Sequence, residues 1–107
     1  MVIICKHIFY KNYVGLSFWP FIILKNNALK EDAILMNHER IHLRQQQELL
    51  VVPFYILYTL EWAFKSFVYL NTYKAYKNIS FEREAYENEK NIDYIKNRGP
   101  FRFIKYL

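Results

Sequence analysis

Residues 54–70, FYILYTLEWAFKSFVYL, constrain the fold of this chain more than any other stretch. They are apolar nearly all the way round a helix, and their only charges are Glu61 and Lys65, spaced i,i+4 as a helical ion pair would be. A chain of 107 residues offers one modest core, so such a helix either runs through that core or finds cover in a bilayer or against another copy. Together with the preceding residues, 49–70 would rise roughly 33 Å as a single helix, long enough to cross a membrane. Pro53 kinks or restarts it, and two charges in mid-segment oppose a simple span. The sequence therefore leaves open a central core helix and a membrane-embedded or oligomer-forming one.

Upstream, YVGLSFWPFIILK (13–25) is rich in aromatic and β-branched residues and too short to span a bilayer. Pro20 cannot donate to a ladder, which predicts an edge strand or a bent strand near 16–24. KNNALKED is a polar turn, and Asp32 can cap a first helix running from about Ala33 to Leu50. After the apolar segment, NTYKAYKN closes it, and Ser80 can cap a third helix from Phe81 to about Asn97. In that helix Phe81, Ala85, Asn88, Ile92 and Ile95 share one face. Gly99 and Pro100 stop it, leaving FRFIKYL as a short strand or docked coil. The fold class expected is α+β and mostly helical, in a single domain over 1–107, with short N-terminal strands packed on the first helix.

Apolar residues at 53% exclude a disordered chain, and the net charge of +5 would suit an anionic partner. The Lys and Arg residues are scattered singly, however, with no basic block and no Gly-rich phosphate loop, so no nucleic-acid partner is expected. An anionic membrane surface fits the combination of charge and apolar content better. Cys5 is the only cysteine, which precludes an intrachain disulfide and fits a reducing compartment. The stretch 13–24 has the length of a signal-peptide core but is followed by no small-residue cleavage pattern. A retained strand and a cytoplasmic or membrane-associated location are therefore expected.

The chemistry concentrates in MNHERIHLRQQQ, residues 36–47. On a helix, His38 and His42 lie about 6 Å apart along the axis and only about 40° apart around it, so both imidazoles can grip one metal ion. Glu39 projects beside them, where its carboxylate can reach a water held by the metal rather than the metal itself. The competing reading leaves both histidines on a solvated face, with Arg44 and Glu48 as an i,i+4 pair.

A catalytic zinc site uses three protein ligands and keeps one position open. No histidine follows His42, so the third ligand must be a carboxylate, and SFEREAYENE (80–89) offers Glu82, Glu84, Glu87 and Glu89. Carboxylates also gather at helix starts for electrostatic reasons alone. Periodicity places Glu84 about 60° and Glu82 about 100° from the centre of the apolar stripe, which leaves both in play.

HERIHLRQQ (38–46) followed by EREAY (82–86) resembles the gluzincin metallopeptidases, above all the very small minigluzincins with HExxHxxQQ and a later ExEAD. The likeness covers roughly residues 33–50 and 80–97. It implies a minimal zincin-like domain in which His38, His42 and Glu82 hold Zn²⁺ and Glu39 is the general base, with Glu84 the rival third ligand. Where the family pattern ends in Asp this chain has Tyr86, whose phenol would take over the support of a ligand histidine. The expected function is zinc-dependent hydrolysis of a peptide or protein substrate, with the strand near 16–24 as the upper rim. The alternatives are a catalytically inactive metal-binding module and a membrane-associated interaction protein that leaves HERIH idle. Residues 49–70 are the expected contact with a membrane surface or a second copy.

Overall fold

The computed structural model describes residues 1–9 and 13–107. It is α+β and mostly helical. Three short strands, β1 (Val2–Ile4), β2 (Gly15–Phe18) and β3 (Phe21–Leu24), form a sheet in the order β1-β3-β2. β1 runs parallel to β3, with Val2 opposite Ile22, and β2 runs antiparallel to it, with Gly15 opposite Leu24. The edge or bent strand expected near 16–24 is thus two strands, of which β2 lies at the sheet edge. Trp19 and Pro20, joined by a cis peptide bond, make the two-residue turn between them, because Pro20 has no N–H with which to extend a ladder. β1 carries no sequence signal, since three apolar residues in a row show no alternation.

α1 (Ala33–Leu49) starts where Asp32 accepts the Leu35 N–H at 3.0 Å, as its capping role requires. Leu50, with a left-handed φ of 68°, separates it from α2 (Val51–Tyr69), and Pro53 sits in the first turn of α2, where a missing N–H costs nothing. α2 is no central core helix. Only Phe54 is fully buried, while Val52, Ile56, Leu60, Phe64 and Phe67 form a stripe exposed to solvent. No helix among the described residues is long and apolar enough to cross a membrane.

The remainder departs from expectation for reasons visible in the polar contacts. NTYKAYKN is not a bare turn but holds α3 (Thr72–Lys77), capped by the Asn71 side chain, which accepts from the N–H groups of Tyr73 and Lys74. The expected helix 81–97 is two, α4 (Ser80–Asn88) and α5 (Tyr94–Asn97). Ser80 lies inside α4 rather than capping it. The cap is Glu61 of α2, whose carboxylate accepts both the Ser80 N–H and its hydroxyl at 2.7 Å while also pairing with Lys65 at 2.7 Å. At the other end the buried Asn37 amide of α1 donates to the carbonyls of Glu89 and Asn91 at 2.8 and 3.0 Å, ending α4. The apolar stripe therefore stops early and Ile92 is exposed. FRFIKYL forms a 3₁₀ turn over Arg102–Tyr106 that buries Phe103 and Tyr106.

Two apolar clusters hold these elements. Ile22, Leu24 and Met36 join the sheet to α1; Phe54, Ile79, Phe81 and Phe103 join α2, α4 and the C-terminal turn. Among the described residues ten polar or charged side chains are buried beside eleven apolar ones, a balance that packing alone would not select.

Candidate metal centre

Facing turns of α1 and α4 supply the polar centre. The four-residue spacing sets the His38 and His42 rings one above the other, with centroids 4.8 Å apart and both side chains buried. The first turn of α4 brings Glu82 between them, its Oε1 3.0 Å from Nε2 of each imidazole, and the two Nε2 atoms are 3.1 Å apart. This buried group of His38, His42 and Glu82 could hold a metal ion. The reading with both histidines on a solvated face does not hold, and Glu48 pairs with Arg98 at 2.8 Å rather than with Arg44.

Proton bookkeeping sharpens the case. Gln45 donates through Nε2 to Glu84 Oε1 at 3.0 Å and to the Phe81 carbonyl at 3.1 Å, so its Oε1 is turned to His42 Nδ1, 2.8 Å away. That acceptor keeps a proton on Nδ1 and leaves the His42 Nε2 lone pair facing a carboxylate oxygen and the other Nε2. Electron-rich atoms converging in a dry site need a cation or a proton at their centre. Without a metal the proton serves: burial pushes the His42 imidazolium down, but the charge and hydrogen bond of Glu82, with Glu39 nearby, outweigh it and raise the pKa to about 9. Burial pushes Glu82 the opposite way, and the two imidazoles overcome it, holding the carboxyl well below its usual range.

Glu39 lies next to this group without joining it. Burial raises its pKa, against the lowering pull of both imidazoles and a hydrogen bond from Ser17. Gly15 of β2 makes room for it: a Cβ at that position would stand 3.3 Å from Glu39 Oε2. Cavities open on both sides of this carboxylate. One of about 240 Å³ lies between β2 and α2 on the His42 side, and one of about 100 Å³ lies towards Tyr73 and Glu89 on the His38 side.

Glu84, the rival for third ligand, is turned away. Its carboxylate is held by Arg98 at 2.5 Å, Tyr94 at 2.7 Å and Gln45, all outside the three-atom group. Tyr86 supports His38 differently from the expectation. Its ring packs on the imidazole with centroids 4.5 Å apart, while its hydroxyl goes to Tyr76 at 3.0 Å. The carboxylate nearest His38 Nδ1 is Glu89, with Oε2 at 3.4 Å and out of line for a hydrogen bond. Burial and the Glu82 charge raise the Tyr86 phenol to about 12, against the lowering hydrogen bond from Tyr76.

Two contributors escape the sequence pattern. Tyr58 of α2 donates to the second oxygen of Glu82 at 2.5 Å, and Arg98, through Glu84, fixes the Gln45 amide that orients His42. Gln45 is legible as part of the HERIHLRQQ motif, but Tyr58 is one aromatic among many and Arg98 follows a helix end. The chain matches no family model, no curated protein and no solved structure.

Proposed function

We propose that this protein is a zinc-dependent metallopeptidase, with His38, His42 and Glu82 as the zinc ligands and Glu39 as the general base. The observation that carries the proposal is the triangle of donor atoms. A tetrahedral ion about 2.0–2.1 Å from each of three donors sets them about 3.3 Å apart, and the separations of 3.0, 3.0 and 3.1 Å lie within a few tenths of that. Two imidazoles and one carboxylate match zinc in hardness, and leave a bound Zn²⁺ site with one net positive charge.

Zinc bound there would supply a Lewis acid and a water acidified to near pH 7. The chain's own groups do the rest. Glu39, raised in pKa and open to cavities on either side, takes the water proton as the oxygen adds to the peptide carbonyl. The C–N bond breaks and the same carboxyl delivers the proton to the leaving amine. Gln45 and Tyr58 hold His42 and Glu82 in place during this exchange. Zinc measured on purified protein at one ion per chain, lost in His42→Ala, is the expected result. In Glu39→Gln zinc should remain while hydrolysis falls by roughly 100-fold or more. Unchanged turnover in that variant would remove Glu39 from the mechanism.

A metal-holding but catalytically silent module is the second reading, favoured by Tyr86 standing where the family pattern has Asp and by the unbonded Nδ1 of His38. It retains zinc and gives no hydrolysis in wild type. Association with a membrane surface or a second copy, through the exposed stripe of α2, is compatible with either reading.

A further inference from the structure

β2 is a free edge of the sheet, but part of that edge is already spent. The Lys25 N–H donates to the Val14 carbonyl at 2.9 Å. With Gly15 opposite Leu24, the alternation of an antiparallel ladder turns the backbone groups of Leu16 and Phe18 towards β3 and those of Gly15 and Ser17 outward. The outward carbonyl of Ser17 is taken twice, by Gln46 Nε2 at 3.0 Å and by the Tyr55 hydroxyl. One step further, the Trp19 N–H donates to Gln46 Oε1 at 2.6 Å. The Tyr55 ring fills the same place, stacked on Phe18 with centroids 6.1 Å apart and wedged edge-on against Phe54 at 4.9 Å. α2 is thereby bolted to β2 across the groove at Ser17.

What remains open for an extended chain is Gly15, beside the Glu39 carboxylate. Among the described residues its outward N–H and C=O have no partner, and an antiparallel strand can satisfy both with one residue, where a parallel strand must present two. β2 runs from Gly15 towards Ser17, so the amino-terminal residues of an antiparallel substrate lie on the bolted side. Gly15 and Ser17 are about 7 Å apart along the strand, which leaves room for one or two residues before the Tyr55 bridge. The cavity there is walled by Phe54, Tyr55 and Tyr58, and among the described residues lining it there is no Lys or Arg to receive a carboxylate end.

We propose, resting on the metallopeptidase reading, that the Tyr55–Ser17 bridge makes the groove blind and that the site trims peptides from the amino end, releasing one or two residues with apolar side chains. Each cleavage adds one water across the C–N bond, giving a short fragment with a new carboxylate and a shortened peptide with a new amine.

The test uses the zinc-loaded chain and one unstructured leucine-rich peptide in three forms: free amine, N-acetylated, and cyclised head to tail. Mass spectrometry should show the free-amine form shortening stepwise from its amino end. The acetylated form should be cut roughly tenfold more slowly or worse, and the cyclic form should stay intact. Binding to the metal-free chain, followed by tryptophan fluorescence, should fall in the same order. In Tyr55→Ala, which unbolts the groove, the cyclic peptide should become a substrate at unchanged zinc content; the three wild-type comparisons stand even if that variant misfolds. Cleavage of the cyclic peptide by wild type, or equal rates on free and acetylated forms, overturns the blind groove and leaves the metallopeptidase standing. A zinc-loaded chain that leaves the free-amine peptide whole overturns both.

Discussion

Gln45 and His42 sit one helical turn apart on α1, and the amide oxygen of Gln45 accepts from the ring Nδ1 of His42 at 2.8 Å because Glu84 holds the amide nitrogen on the other side. The relay continues to Arg98, which clamps Glu84 and Glu48 together. The Nδ1 proton of His42 is thus fixed by residues from α1, α4 and the segment after α5.

Removing the amide should therefore weaken the metal site without touching a ligand. Gln45→Ala frees the His42 ring and takes a donor from the buried Glu84. Second-layer partners of this kind are worth about 10–100-fold in metal affinity. Competition against a zinc chelator of known affinity reads the loss directly, and an affinity equal to wild type would show that the ring is held by packing alone.

The pH dependence has a defined sign. His42 has a folded pKa raised to about 9 from an ordinary 6.5, so its contribution to the metal-free fold is complete below pH 6.5 and drains away as pH rises towards 9. Glu39, also raised, acts in the same direction, losing its contribution as pH climbs above the ordinary carboxylate range. Glu82 is lowered, so its contribution is present above that range and lost as pH falls through it. The metal-free chain should have its highest Tm on the mildly acidic side of neutrality and lose stability towards pH 9. Zinc held as proposed would have to displace the His42 proton, so apparent affinity should rise about tenfold per pH unit up to that point. Thermal melts across pH, with and without zinc, should show the two curves diverging as pH rises.

The sequence predicts a third helix from Phe81 to about Asn97, and the contact that meets the end of α4 at Asn88 lies half a chain away. Asn37 precedes His38 in sequence, and its amide donates to two carbonyls just past that helix end. No local rule could see this, because a cap supplied from another element depends on packing rather than on neighbours in sequence. The same holds for Glu61, visible in sequence as the partner of Lys65 but not as the cap of α4. By contrast Asp32, the helical spacing of His38 and His42, and the role of Pro53 follow from contacts within a turn or two, and those were legible. The motif resemblance favours Glu82, while periodicity leaves Glu84 in play because the apolar stripe is drawn through a helix that does not continue.

Asn37→Ala tests that distant cap. It leaves two carbonyls without their donor, at a cost of about 1–3 kcal/mol, or very roughly 4–8 °C in Tm per kcal/mol for a domain of this size. Because the same helix carries Glu82, zinc affinity should fall together with stability. A full drop in Tm with undiminished zinc binding would mean that α4 keeps its place without the cap.

Gly15→Ala separates the proposed role of Glu39 from the proposed metal binding. The backbone of Gly15 is not in the left-handed region, so alanine costs no strain there. Its methyl group would stand 3.3 Å from Glu39 Oε2 and 3.4 Å from a Leu35 methyl, close enough that the carboxylate must give way by a few tenths of an ångström. The same methyl group intrudes where an extended substrate would lie along β2. Misplacement of a general base on that scale reduces turnover by about tenfold or more, whereas His38, His42 and Glu82 are untouched. The variant should hold one zinc per chain with wild-type affinity and hydrolyse peptides at least tenfold more slowly. Wild-type rates in Gly15→Ala would place the reacting carbonyl away from β2 and remove that strand from the substrate groove.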